Sequence, residues 1–309
     1  MSVLSIVVPC YNEEETIPVL YRKICELQDQ IEADLEFCFV DDGSTDRTLT
    51  VLKKLREEDS RIHYVSFSRN FGKEAALLAG LELSTGDYIV TMDVDLQDPP
   101  SLLPEMYAIV SDDSNQYDSA AARRVDRTGE PLLRSFFARQ FYRIINRLSS
   151  TEIVDGSRDY RMMTRQMADA VINDREYNRF SKGIFSWVGF QTNWIDYHNV
   201  ERSAGSTKWS FSTLFKYSVE GILAYSIVPL VISSCLGGLM CFGSVIAFLF
   251  TIIRNVITGL PFMGWSLGIC ILIFTSGLIL VSLGIIGLYI SRIYLETKKR
   301  QIYIVKEKA

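Results

Sequence analysis

The chain has 309 residues, 48% of them apolar and 22% charged, with a formal net charge of -5 at pH 7. That composition excludes a disordered or collagen-like chain, and the acidic balance argues against general nucleic-acid binding. The length allows about two structural units, and the charges divide the chain accordingly: residues 221–291 hold one charge, Arg254, whereas residues 1–220 carry nearly all the acidic and basic groups.

In chain order, apolar β-branched runs at 4–8, 35–40, 62–67 and 88–92 predict strands, and the amphipathic stretches 13–31, 46–58 and 73–83 between them predict helices. This alternation predicts an α/β fold, a mostly parallel sheet flanked by helices on both faces. Ligands of such sheets sit beyond the carboxyl ends of the strands. Here those ends are polar: Pro9, Tyr11, Asn12 and Glu13 after the first, Asp41 and Asp42 after the second, Asn70 and Lys73 after the third, and Asp93, Asp95, Gln97 and Asp98 after the fourth. A fifth strand-like run at 117–122 leads into Arg123 and Arg124. No GxGxxG and no GxxxxGK[ST] is present, so phosphates would fall to a metal ion and side chains.

Asp93 and Asp95 flank one residue at the end of an apolar strand, so both carboxylates can approach one hard cation, Mg²⁺ or Mn²⁺. A lone DxD more often caps a helix or faces solvent, but this one shares its rim with other strand-end carboxylates. Asp41 and Asp42 suit a uracil edge or ribose, and equally a turn and helix cap. For an anionic ligand the basic groups are Arg123 with Arg124, and the 202–208 segment with Arg202, Ser206 and Lys208, whose Gly-Ser-Thr content suggests a mobile loop. That segment would equally attract anionic lipid.

Residues 131–149 combine a helical apolar stripe with arginines, the pattern of an in-plane interfacial helix, and 209–226 predicts a second amphipathic helix at the membrane. Two apolar stretches follow, about 227–253 and 265–290, each long enough to cross a roughly 30 Å hydrocarbon core. With basic residues before the first and after the second, both termini are expected in the cytosol. The resulting domain expectation is a catalytic unit over 1–208, a juxtamembrane helix over 209–226, a transmembrane hairpin over 227–291 and a basic tail over 292–309. The N-terminus lacks a basic n-region or cleavage site, so no secretory signal is expected to be removed. Six scattered cysteines without a CxxC pair predict reduced thiols.

The motifs PxYNE (9–13), DDGS (41–44), NFGKE (70–74), DVDLQDPP (93–100), GSRDYRMM (156–163) and KGIFSWVGF (182–190), in this order, resemble the polyprenyl-phosphate glycosyltransferases of glycosyltransferase family two, with the GT-A fold. The similarity is greatest to the bactoprenol (undecaprenyl-phosphate) glucosyltransferase type, and dolichyl-phosphate mannose synthase is related. The resemblance implies inverting transfer of a sugar, glucose as first expectation, from a nucleotide diphosphate, expected to be UDP, to a membrane polyprenyl phosphate. It implies that Asp93, Asp95 and Gln97 bind Mg²⁺ or Mn²⁺, with Asp95 counted among the catalytic residues. Pro9, Tyr11, Glu13, Asp41, Asp42, Lys73 and Asp93 would hold the nucleotide sugar, and Arg123, Arg124, Arg161, Arg202, Ser206 and Lys208 the acceptor phosphate. Asp159 matches the position of the catalytic base; alternatively it orients Arg161 or the acceptor, or pairs with Arg158 or Arg161. N-acetylglucosamine as donor sugar, a non-catalytic membrane scaffold and a homo-oligomer stay open. A processive synthase is disfavoured because Gln140-Phe141-Tyr142-Arg143 continues with Ile144 where a QxxRW motif needs Trp.

Overall fold

The structure is a computed structural model that describes residues 2–112, 114–125, 154, 156–197, 228–258 and 265–309. Within these, eight strands form one sheet in the order β7-β5-β6-β4-β1-β2-β3-β8. Its centre is β1 (Ser2–Cys10), paired in parallel with β2 (Ala33–Asp41) on one side and β4 (Tyr88–Thr91) on the other, with β3 (Ile62–Phe67) beyond β2. These strands carry continuous apolar runs at their centres because both faces are covered. Leu4, Ile6, Val8, Phe37 and Phe39 face α1 (Ile17–Cys25), α2 (Thr48–Glu58) and α4 (Leu103–Ser111). Val7, Cys38, Val40 and Ile89 face α3 (Lys73–Leu83), α5 (Arg165–Asn173) and α6 (Ser181–Trp187). Burial on both faces selects continuous apolar runs, which is why the parallel strands were readable.

The other half departs from the simple alternation. The GSRDYRMM stretch is a strand, β6 (Ser157–Thr164), antiparallel to both β4 and β5 (Ser119–Arg124), while β7 (Thr192–Tyr197) lies parallel to β5. Because β6 runs backwards, its first residues reach the rim where β1, β4, β5 and β7 end. The helix expected over 13–31 contracts to Ile17–Cys25. Residues ahead of it are committed to a loop, with Asn12 at φ 56 and Thr16 capping back to Glu13. Arg123 and Arg124 lie inside β5 rather than after it.

Two long helices follow, α7 (Val228–Thr258) and α8 (Trp265–Thr297), packed against one another with a 2.6 Å hydrogen bond between the Ser233 and Ser282 hydroxyls. Arg254, which falls between the two expected spans, is helical, and residues 259–264 lie outside the described residues. Among the described residues, Phe274–Thr297 alone is long and apolar enough to cross a membrane; the apolar part of α7, Val228–Met240, is shorter. On that criterion the expected two-span hairpin is reduced to one candidate span. The expected helices at 131–149 and 209–226 also lie outside the described residues. The tail does not trail away: β8 (Val305–Lys308) pairs antiparallel with β3 and closes that edge of the sheet.

Candidate active site

The rim at the carboxyl ends of the parallel strands is built by mutual hydrogen bonding of its loops. Asp41 is buried and accepts from Ser44 N at 2.9 Å and Ser66 Oγ at 2.7 Å. Asp42, also buried, accepts from Phe71 N at 2.6 Å and Gly72 N at 3.0 Å. Burial pushes the Asp42 carboxyl above its ordinary value, against the pull of those two amides. Gly43, at φ 65, sits where a Cβ would come within 2.3 Å of the Arg69 carbonyl carbon, so the second and third loops touch backbone to backbone. On the first loop, Asn12 N donates to Ser44 Oγ, Glu13 N to Thr48 Oγ1 and Thr16 Oγ1 to Glu13 Oε2, at 2.6 to 2.9 Å. Asp41, Asp42 and Glu13, expected to hold nucleotide, also organise these turns; for Asp41 and Asp42 that is the turn part of the alternative reading, while α2 and α3 carry no side-chain cap hydrogen bond. Pro9 is the penultimate residue of β1 and Tyr11 stands partly exposed on the same rim.

The third loop delivers Lys73 to the centre of the site. Its Nζ lies 2.6 Å from Asp93 Oδ1 and 2.6 Å from Asp159 Oδ2. Burial opposes the ammonium charge, but Asp159 and Asp93 outweigh it and hold Lys73 above its ordinary pKa. Burial likewise opposes the Asp159 carboxylate, and Lys73 and Lys182 overcome it, holding Asp159 well below the usual carboxylate range. The pairing of Asp159 expected with Arg158 or Arg161 is thus replaced by one with Lys73.

Between Asp95 and Gln97 the chain turns through Leu96 at φ 59, a left-handed conformation for a buried leucine, and Gln97 N donates to Asp95 Oδ1 at 3.1 Å. The strain is braced by Asp98, fully buried, which accepts from Arg158 Nε at 3.1 Å and Tyr197 OH at 2.8 Å. Arg158 Nη2 also donates to Gln97 Oε1 at 3.3 Å. This brace was missed as such, although Asp98 and Arg158 both lie in the quoted motifs.

Asp93, Asp95 and Gln97 offer two carboxylates and an amide oxygen, a hard donor set that fits Mg²⁺ or Mn²⁺ completed by water and phosphate oxygens. Among the described residues no cluster of three His, Cys, Asp or Glu could hold a metal unaided. Gln97 would have to give up its contact with Arg158 to join.

Among the described residues, Arg123, Arg124 and Arg161 of the acceptor set are not brought together. Arg123 stands on the rim in a two-pronged pair with Asp196, at 2.6 and 2.9 Å, and Arg124 beside it is half-buried. Arg161 is a correction: two residues further along β6, it is buried beneath the rim, donating to Ser119 Oγ and Thr192 Oγ1 and stacked over Phe185 and Trp194 at 4.9 and 5.3 Å. Burial lowers its pKa to about 10. Its guanidinium is enclosed by β5, β7 and α6, which removes it from an arriving headgroup. Arg202, Ser206 and Lys208 lie outside the described residues.

The sheet gathers strand-end carboxylates around a strained acidic loop on one rim. Residues 5–172 match the model of glycosyl transferase family 2. The chain belongs to that family and is a glycosyltransferase. It is similar to the putative glycosyltransferase CsbB of Bacillus subtilis, with 40% identity over 98% of this chain and 91% of that protein. It is also similar to the bactoprenol glucosyl transferase of Shigella phage SfX, with 37% identity over 99% of both chains. The prophage bactoprenol glucosyl transferase homolog of Escherichia coli K12 is 36% identical over 98% of both. Among solved structures, glucosyl-3-phosphoglycerate synthase of Mycobacterium tuberculosis matches at a TM-score of 0.46 and 19% identity, over 72% of this chain and 78% of that one.

Proposed function

We propose that the chain transfers glucose from UDP-glucose to a polyprenyl phosphate at the cytosolic face of a membrane, with inversion at the anomeric carbon. The observation that carries the reading is the convergence of Lys73, Asp93 and Asp159 within 2.6 Å contacts at the strand-end rim, in a chain that matches bactoprenol glucosyl transferases along nearly its whole length. Asp93 and Asp95, with Gln97, would hold the divalent cation, which when bound neutralises charge on the leaving diphosphate. Pro9, Tyr11, Glu13 and the DDGS turn form the donor side.

In this reading an acceptor phosphate oxygen attacks the anomeric carbon as its bond to the diphosphate breaks. A phosphate monoester with a second pKa of about 6 is already largely ionised, so no strong base is required. Asp159, held well below the ordinary carboxylate range by Lys73 and Lys182 against its burial, is a poor proton acceptor. Its role is to fix the ammonium of Lys73. The acceptor headgroup falls to Arg123 and Arg124 on the rim and to Arg202, Ser206 and Lys208. The membrane reading is supported by large apolar side chains that α7 and α8 leave exposed, such as Phe242 at 70% and Leu272 at 66%, since a soluble core helix buries such groups.

The test is to incubate the purified chain in nanodiscs with polyprenyl phosphate, Mg²⁺ or Mn²⁺ and a panel of UDP-glucose, UDP-N-acetylglucosamine and GDP-mannose, then identify the glycolipid by mass. Glucosyl polyprenyl phosphate is expected, and Asp95→Ala should cut kcat/KM by about 10³ or more without unfolding the chain. A different sugar in the product would replace glucose; native turnover by Asp95→Ala would end the metal assignment.

A further inference from the structure

After α8 the chain returns to the catalytic sheet and does more than cover its edge. β8 pairs with β3, Ser66 opposite Glu307, and the ladder continues through Tyr64 N to Ala309 O at 2.9 Å and Ala309 N to Tyr64 O at 3.0 Å. Glu307 accepts from Lys53 Nζ at 2.8 Å and Tyr64 OH at 2.8 Å. Upstream, the Tyr303 ring stacks on Phe67 with centroids 4.8 Å apart and planes 17° from parallel, its hydroxyl donates to Glu82, and Ser68 N donates to Ile304 O at 3.0 Å. Phe67 is the last residue of β3, at the root of the 68–73 loop.

That loop is thereby held from two sides. Phe67 meets Phe71 edge to face at 5.7 Å, Phe71 N and Gly72 N are bound by Asp42, and Gly43 lies against Arg69 and Asn70. Lys73, the first residue of α3 where that loop ends, is the group between Asp93 and Asp159. A strand serving only to cap β3 needs its ladder; it does not need to place an aromatic ring on the root of an active-site loop.

We propose that the C-terminal tail is a positioning element of the donor side, with Tyr303 setting the 68–73 loop, and through it Lys73, by way of Phe67 and Phe71. The proposal rests on the reading of this rim as the nucleotide-sugar site. Tyr303 touches no reacting atom; it acts through the aromatic stack.

The experiment uses the full chain in nanodiscs, with Tyr303→Ala and the conservative Tyr303→Phe, which keeps the stack and loses only the bond to Glu82. Tyr303→Ala should weaken UDP binding and raise donor KM by about fivefold, the equilibrium worth of one aromatic pair, with lipid KM unchanged, and Tyr303→Phe should restore both. Amide exchange at Phe71 and Gly72 should quicken in Tyr303→Ala while the amides of β1 hold their protection. Unchanged exchange at Phe71 and Gly72, or donor and lipid KM moving together, overturns the proposal. If Tyr303→Ala does not accumulate, Tyr303→Leu, which keeps bulk without a ring, carries the same expectations. Absence of UDP binding in the unaltered chain would defeat the donor-site reading, whereas the exchange measurement still decides the coupling of tail to loop.

Discussion

At Lys73 one ammonium lies 2.6 Å from each of two carboxylates, and the next residue, Glu74, directs its carboxylate to Ser181 N at 2.9 Å, where it caps α6. The spacing within each motif announced an acidic rim, because short polar runs at the ends of apolar strands have little packing reason to be acidic. It could not announce that Lys73 would meet a partner 86 residues away, since that contact depends on β6 running backwards. Glu74 carries the electrostatic cost of this crowding. Burial and the nearby Asp159 raise its pKa from 4.5 to about 7, with the Ser181 bonds pulling the other way. Between those two values the folded chain keeps a proton that the unfolded chain has released, so stability falls as pH rises through that window. Glu74→Gln keeps the acceptor oxygen and removes the titration. It should leave the melting temperature unchanged at pH 5 and raise it by about 2–4 °C at pH 8, measured by scanning fluorimetry. An equal shift at both pH values would refute the assignment.

Among the elements, β1 to β4 and α3 were legible because burial on both faces writes itself as unbroken apolar runs. β6 was not, because its sequence alternates charge with apolar residues and its buried charges are satisfied only by distant groups: Arg158 by Asp98, Arg161 by the hydroxyls of Ser119 and Thr192. β8 was hidden for a related reason, as its lysines read as a basic tail while Glu307 pairs with Lys53 on α2. The pleat of β6 sets the roles of its two acidic and basic candidates. Asp159 and Arg161 share a face, but Asp159 is at the rim and Arg161 one repeat further in, under Phe185 and Trp194. Arg161→Met, which fills the same space between the two rings, should lower unfolding free energy by about 1–3 kcal/mol, since the Ser119 and Thr192 hydroxyls lose their buried donor. The apparent KM for polyprenyl phosphate should not move. A rise of about tenfold or more, the loss of a charge-assisted phosphate contact, would return Arg161 to the acceptor site.

For the molecule as a whole, the sheet constrains the path of the chain. The strands β1 to β7 and the 305–308 strand belong to one sheet, and near the end of α8 Glu296 accepts from Tyr177 N at 2.8 Å. The chain therefore leaves the catalytic domain and returns to it on the same side. If Phe274–Thr297 crosses a membrane, a chain that returns to the same side needs a second crossing. α7 is the partner at hand, packed along α8 through Ser233 and Ser282, a polar contact of the kind that joins helices in lipid. Its apolar stretch, Val228–Met240, is shorter than the roughly 20 apolar residues needed to span, so the second crossing is for labelling to decide. The basic residues Arg292, Lys298, Lys299 and Arg300 on the return side argue for the cytosol there. In cells made permeable only at the outer face, a cysteine placed at Gly259 should react with an impermeant maleimide, while one placed at Lys306 or Asp29 stays protected until the inner membrane is opened. Protection at Gly259 together with protection at Lys306 would mean that neither helix crosses. Reaction at Lys306 but not at Asp29 would mean an odd number of crossings, which is incompatible with β8 pairing to β3 of its own sheet.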